Sequence, residues 1–233
     1  TPKVLGLSGS KVYDGSSVVL ASELPTISGL IGSETIVTGS QTTTSSSLST
    51  GARKNVASNV AIQANAAGIT LSNGSNGGLA ANYTLTGGTH QVNITKAPVT
   101  VALSRQYNGT TNASSNATDS NTSETFSGLV GSETLTLSGQ GSVSSKNYSA
   151  STQAVTLGSL AIGNQSGASV SSGGLASNYN FTSATLAINK KVLNSNSSRV
   201  YNATTTAAAA DISFTNQISG ETLVKSNAAA TSS

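Results

Sequence analysis

The chain has 233 residues, a formal net charge of +3 and only 8% charged residues, with no Cys, Met or Trp. The lack of cysteine excludes a disulfide framework, a thiolate metal site and thiol catalysis. Basic residues are scattered apart from Arg53-Lys54 and Lys190-Lys191, so no nucleic-acid partner is expected. No apolar run reaches the ~20 residues of a membrane-spanning helix, so any membrane attachment is expected only through parts outside this segment. A normal soluble surface is about one quarter charged. Here Ser, Thr, Asn, Gly and Ala take that place, which suits an exported protein with a neutral surface rich in hydroxyls and amides.

In chain order, the first landmark is Tyr13-Asp14-Gly15, read as a turn because Asp bonds its own backbone and Gly accepts positive φ. Gly29-Leu30-Ile31-Gly32-Ser33-Glu34-Thr35 follows, an apolar pair between glycines and then an acid, with the Glu expected to hold a turn by accepting from backbone N–H groups. Residues 60–62 read as a short strand, and Asn73-Gly74-Ser75-Asn76-Gly77-Gly78 as turn punctuation. Residues 83–86, 90–94 and 99–103 alternate apolar and polar positions, which predicts strands with one buried face. Tyr107-Asn108-Gly109 opens the next such series. The polar stretch 112–123 reads as a lengthened surface loop, and residues 134–138, 155–157, 179–182 and 184–188 as further strands. Tyr201-Asn202-Ala203 closes the series, and Ala in place of Gly makes positive φ costlier there, so a different turn is expected. Helix is a poor reading, because Gly, Ser, Thr and Asn are frequent and no long apolar stripe of period 3.6 occurs.

The three tyrosine turns lie 94 residues apart each time. The Gly-Ser-Glu-Thr landmark returns at Gly131-Ser132-Glu133-Thr134 and, shortened, at Gln217-Ile218-Ser219-Gly220-Glu221-Thr222. Leu79-Ala80-Ala81-Asn82-Tyr83 returns as Leu175-Ala176-Ser177-Asn178-Tyr179, and Lys54-Asn55 as Lys146-Asn147. The chain therefore reads as tandem copies of one module: residues 1–96, residues 97–190 and a partial third over 191–233. A module of ~94 residues is large enough to bury its own core. Thr1 falls about where a repeat starts and the third repeat stops midway, so a segment cut from a longer array is expected. Many short strands with turns between them favour an all-β fold of tandem Ig-like antiparallel β-sandwich repeats forming a rod. A parallel β-solenoid ranks lower, because no 20–30-residue coil period is present. The recurrent tyrosines are expected at the core edge with their hydroxyls bonded to loops.

These landmarks resemble the YDG-type repeat of bacterial filamentous-haemagglutinin-like surface adhesins, often found beside the related MBG domains. The residues that carry the likeness are Lys11-Val12-Tyr13-Asp14-Gly15, the segment from Gly29 to Thr35, Lys54-Asn55-Val56, Asn82-Tyr83-Thr84-Leu85 and Ile94-Thr95-Lys96-Ala97-Pro98. It covers both full repeats and the partial third. The resemblance implies a stalk at the bacterial cell surface or outside the cell, supporting adhesion or biofilm. Asn108 and Asn202 stand where the motif has Asp, so that carboxylate is not required as a ligand or catalytic group.

Little points to catalysis. His90 is the lone histidine and is not repeated. The eight acids form no Asp-x-Asp cluster of the kind calcium sites use. Glu34 and Glu133 are equivalent positions in different modules, too far apart for a paired-carboxylate site. No phosphate-cradling glycine motif occurs. The expectation is a non-enzyme with no catalytic residues, metal or cofactor. A Lys–Asn or Lys–Asp isopeptide staple at Lys54 or Lys146 is a minor alternative to solvated lysines. Asn-x-Ser/Thr occurs about a dozen times, mostly as a result of composition. The expected partners are neighbouring repeats and other copies of the chain, with the ligand left open. The alternatives to a stalk are a binding module whose loops recognise a carbohydrate or host protein, and a fibre subunit pairing by strand addition through 191–233.

Overall fold

The computed structural model describes residues 1–39, 48–62, 69–115, 122–165, 174–205 and 208–225. Among them the chain is all-β, with short strands in several small sheets. Helix is confined to single 3-10 turns at Ala21–Glu23, Ala80–Asn82, Ala176–Asn178 and Ala209–Asp211. No helix among the described residues is long and apolar enough to cross a membrane. Of the polar stretch 112–123, residues 116–121 lie outside the described residues.

Two compact units divide the chain. One comprises Thr1–Val101, Thr125–Ser138 and Leu160–Ser183, the other Ala102–Glu124, Gly139–Ser159 and Ala184–Ser233. In the first unit a four-stranded sheet runs in the order Thr26–Ser28, Gly6–Val12, His90–Thr95, Ala57–Ala61. Gly6–Val12 is antiparallel to Thr26–Ser28 but parallel to His90–Thr95, with Leu7 opposite His90 and Val12 opposite Thr95. Lys3–Val4 also runs parallel to Tyr83–Thr84. The wholly antiparallel pairing expected from alternation is thus corrected to a mixed one. Alternation shows that one face is buried, not which way the neighbour runs. The strands that open and close a repeat are joined by most of the module, ample for the crossover that parallel neighbours need. Two antiparallel pairs recur in equivalent places: Ile36–Thr38 with Leu71–Asn73, and Leu135–Ser138 with Ala161–Asn164.

The strand faces follow the alternation. His90–Thr95 turns His90, Val92 and Ile94 inward, and Ala97–Gln106 buries every second residue from Ala97 to Arg105. Leu5, Leu7, Val19, Leu24, Leu48, Val60, Val92 and Val99 form the centre of the first unit's core. Each such side chain contributes roughly 1.5–3 kcal/mol on burial. The second unit pairs Asn112–Ala113 with Gly141–Ser142 and Ser195–Ser197 with Ile212–Phe214. It buries Leu103, Ala113, Val143, Leu186 and Ile188.

Residues 83–86 are strand only over Tyr83–Thr84, whereas 179–182 and 184–188 merge into one strand, Tyr179–Asn189. Gly87, at φ 80°, interrupts the first repeat, where the second has Ser183. Of 155–157, only Thr156 bridges, to Ser142, and the strand lies just before, at Gln153–Ala154.

Candidate functional site

The site is built twice from the same parts, beginning with the tyrosine turn. In all three copies the Asx side chain accepts from the backbone two residues on: Ser16 N to Asp14 Oδ1 at 2.9 Å, Thr110 N to Asn108 Oδ1 at 3.1 Å and Thr204 N to Asn202 Oδ1 at 3.2 Å. Gly15, Gly109 and Ala203 all take positive φ, at 72°, 79° and 57°. The different turn expected at Ala203 is therefore not found: the Asx bond and its neighbours hold the left-handed backbone despite the Cβ.

A basic residue two positions before each tyrosine ties the turn from within. Lys11 is buried, and its Nζ donates to Val18 O at 2.6 Å and Ser16 O at 3.2 Å while pairing with Asp14 at 3.0 Å. Arg105, also buried, donates from Nη2 to Thr110 O at 2.7 Å and from Nη1 to the Asn108 side chain. Arg199 donates to Thr204. Sequence reasoning missed this role, although the signal was present: Lys11, Arg105 and Arg199 share the 94-residue spacing.

The second part is the acid landmark. The N–H of Glu34, Glu133 and Glu221 each donates to the carbonyl three residues back, Ile31, Val130 and Ile218, at 3.1 Å. That tight turn aims the carboxylate at tyrosine. Tyr179 OH donates to Glu133 Oε2 at 2.6 Å and accepts from Val130 N at 3.0 Å. Tyr83 OH likewise donates to Glu34 Oε2 and accepts from Ile31 N at 3.2 Å. These bonds lie within a repeat. The hydroxyls of Tyr83 and Tyr179 bond loops, as expected, whereas Tyr201 is 89% exposed and not at the core edge where the sequence placed it. The glutamate carboxylates, in contrast, take tyrosine hydroxyls, with Gly174 as a backbone partner only for Glu133.

The third part joins one repeat to the next. Tyr13 OH, from the first repeat, donates to Glu133 Oε1 of the second at 2.5 Å. Tyr107 OH, from the second repeat, donates to Glu221 Oε1 of the third. Glu133 thus divides its oxygens between the tyrosine of its own repeat and that of the preceding one. The two rings meet edge to face, with centroids 5.6 Å apart and an interplanar angle of 81°. Asn178, fully buried, donates from Nδ2 to Asn55 Oδ1 at 2.8 Å and accepts from Val56 N at 3.1 Å, a second tie between the same repeats. At the next junction Lys146 Nζ adds an ion pair to Glu221 at 3.1 Å. Lys146, an isopeptide candidate in the sequence, faces the Glu221 carboxylate here.

Glycine spares a close contact where the turn meets its partner. A Cβ on Gly15 would lie 2.9 Å from Val130 Cγ1, and one on Gly109 would lie 3.0 Å from Ile218 Cγ2.

The electrostatics agree with the geometry. Burial and then the Glu133 carboxylate push the Tyr13 hydroxyl well above its ordinary pKa and Tyr179 up to about 12. Burial pulls Glu133 upward, but hydrogen bonds from Tyr13, Tyr179 and Gly174 outweigh it and leave its pKa lowered. Glu221 is lowered by Tyr107 and Lys146, and Tyr107 is raised, mainly by Glu221.

His90 is placed inside the first unit. Its Nδ1 accepts from Leu7 N at 3.1 Å and its Nε2 donates to Leu85 O at 2.9 Å. Both ring nitrogens are spent on the backbone, so the residue locks strands together. Glu34 and Glu133 are not brought together. Each sits in its own repeat's landmark turn.

Comparison with known proteins adds no relative: no protein-family model, curated protein or solved structure matches the chain.

Proposed function

We propose that the chain is a structural repeat segment, the stalk of a large secreted or surface-attached bacterial adhesin that supports adhesion or biofilm. One observation carries this reading: the tyrosine of one repeat is clasped by the glutamate of the next, at both Tyr13–Glu133 and Tyr107–Glu221. A device that joins copies and recurs with the repeat period is what a spacer needs. A catalytic site is ordinarily built once. The first link between repeats is short, since strand His90–Thr95 and strand Ala97–Gln106 are separated by Lys96 alone. Such a link leaves little slack for hinge motion, and stability in such an array approximates a sum over neighbours. On this reading residues 1–96, 97–190 and 191–233 are successive Ig-like β-sandwich modules stacked into a rod. The adhesin context and the extracellular location come from the sequence resemblance and from the low-charge, hydroxyl-rich composition. Electron microscopy of the native full-length protein is the test. A thread of beads spaced by one module and rooted at the cell surface supports the stalk, and a short compact particle overturns it.

A second reading rests on a cavity of about 420 Å³ in the second unit, lined among others by Tyr107, Tyr148, Lys190 and Lys191. Lys190 Nζ stands 5.0 Å from the centre of the half-exposed Tyr148 ring. Rings beside cations suit a carbohydrate or a protein loop. Binding on a glycan array that is lost in Tyr148→Ala favours this reading over a bare spacer.

A further inference from the structure

The outer face of the first unit's four-stranded sheet carries a cleft of about 370 Å³, lined chiefly by Ser8, Ser10, Thr26, Asn59, Gln91 and Asn93. That volume falls in the range of small-ligand clefts. Ser8 stands between Thr26 and Gln91 on the neighbouring strands, and Ser10 lies opposite Asn93. Every side chain in the lining ends in a hydroxyl or an amide, and none is charged or aromatic. Most of these groups are unengaged. Among the described residues the side chains of Ser8, Ser10, Thr26, Asn59 and Gln91 make no hydrogen bond, and Asn93 uses only its Oδ1, which accepts from Asn59 N at 2.7 Å.

A strained backbone brings Asn59 to the cleft. Strand Ala57–Ala61 has one extra residue against His90–Thr95 between Ala57 and Val60, and Asn59 within it takes φ 52°. The other described non-glycine residues with positive φ, Asn76 and Ala203, lie outside strands. A bulge re-aims a side chain, and left-handed strain in a residue with a Cβ clusters at ligand clamps. Neither feature recurs with the clasp. In the second repeat the partner strand Gln153–Ala154 pairs without a shift. At the 94-residue spacing Ser8, Gln91 and Asn93 become Ala102, Thr185 and Ala187. Those three positions are exposed or half-exposed although a repeat precedes them, so a neighbouring repeat leaves this face open.

We propose that this cleft binds a neutral saccharide. A sugar hydroxyl both donates and accepts, and so does each hydroxyl and amide of the lining, so neighbouring hydroxyls on one pyranose can be met in pairs. The absence of charge in the lining gives an anionic or cationic ligand nothing to pair with, and the absence of rings and large apolar side chains gives a protein partner no anchor. Each contact exchanges a bond to water for a bond to the ligand, so affinity is weak, in the millimolar range. The site is separate from the Tyr148 cavity, which belongs to the second unit, and it adds a binding function to the stalk reading.

NMR titration of the full chain with lactose, maltotriose and chitotriose, and with sialyllactose as the charged control, tests the proposal. At least one neutral saccharide is expected to shift backbone amides around residues 8–10, 59 and 91–93, and sialyllactose to do no better than lactose. Asn59→Gly removes the amide while glycine keeps the positive φ and the N–H to Asn93, and it should weaken binding about threefold to tenfold. Ser8→Ala combined with Gln91→Thr copies the second repeat's residues and should abolish the shifts. Urea unfolding of both variants, unchanged or strengthened, separates loss of contact from loss of fold. No shift with any of the three neutral saccharides at high millimolar concentration overturns the proposal. Binding that survives both variants but is lost in Tyr148→Ala also overturns it, and assigns the saccharide to the second unit's cavity. A clear preference for sialyllactose overturns the neutral class.

Discussion

Tyr13→Phe isolates the clasp between the first two repeats. The substitution keeps the ring, and with it the edge-to-face contact with Tyr179, and removes only the hydroxyl that donates to Glu133. A hydrogen bond to a charged group is worth about 1.5–3 kcal/mol. Glu133 is half-exposed, so solvent screens part of this and the expected loss is about 1–2 kcal/mol. Glu133→Gln keeps the shape, removes the charge and leaves one acceptor oxygen for two phenols. In a double-mutant cycle the pair should lose less than the sum of the single losses, with a coupling of about 1 kcal/mol. Urea unfolding followed by far-UV circular dichroism measures this. The transition that shifts belongs to the unit holding both groups, and an unchanged slope confirms that stability alone has moved. A Tyr13→Phe variant within about 0.3 kcal/mol of wild type, with no coupling to Glu133→Gln, refutes the clasp as an energetic tie between repeats.

The pH dependence has two edges. Glu133 titrates lower when folded, so its contribution is complete above about pH 4.5 and is lost as pH falls through the folded value. Tyr13 and Tyr179 titrate higher when folded, so theirs is complete below about pH 10 and is lost as pH rises through the folded values, near 12 for Tyr179. Thermal melting across pH should show a plateau between these edges, and Tyr13→Phe should flatten part of the alkaline side. Lys11→Met strands the carbonyls of Ser16 and Val18 and should cost about 2–3 kcal/mol, while Lys11→Arg should cost under about 1 kcal/mol because Arg105 does the same task; equal losses in urea unfolding would contradict the role given to this residue. Gly15→Ala should destabilise by about 1–2 kcal/mol, since it adds positive-φ strain and a contact with Val130, and Val130→Ala should relieve the contact part of that loss.

Much of this organisation is legible in the sequence, and the parts that are not have physical reasons. The 94-residue spacing of Tyr13, Tyr107 and Tyr201 identifies the repeat, and alternation in 90–94 and 99–103 locates strands and their buried faces. Parallel pairing of Gly6–Val12 with His90–Thr95 is invisible locally, because direction is set by the path of the whole module. Glu34 and Glu133 read as turn residues whose carboxylates accept from backbone N–H groups, and it is their own N–H groups that close the turns. That their carboxylates reach tyrosines 49 and 46 residues away, and in Glu133 also one 120 residues away, depends on tertiary packing. Nothing in the scattered placing of Lys11 and Arg105 along the chain shows that short Asx turns fold over them and bury them. Asn178 belongs to the recurring Leu-Ala-x-Asn-Tyr landmark, and its burial becomes clear only when Asn55 of the preceding repeat is placed beside it.

The central claim is that successive repeats are clasped into a stiff spacer, and small-angle X-ray scattering of the chain in solution tests it most directly. A pair-distance distribution with one short cross-section peak and a long linear tail, shortened or broadened by Tyr13→Phe combined with Tyr107→Phe, is the predicted result. A symmetric distribution of compact-particle width, unchanged by that double substitution, would contradict the account.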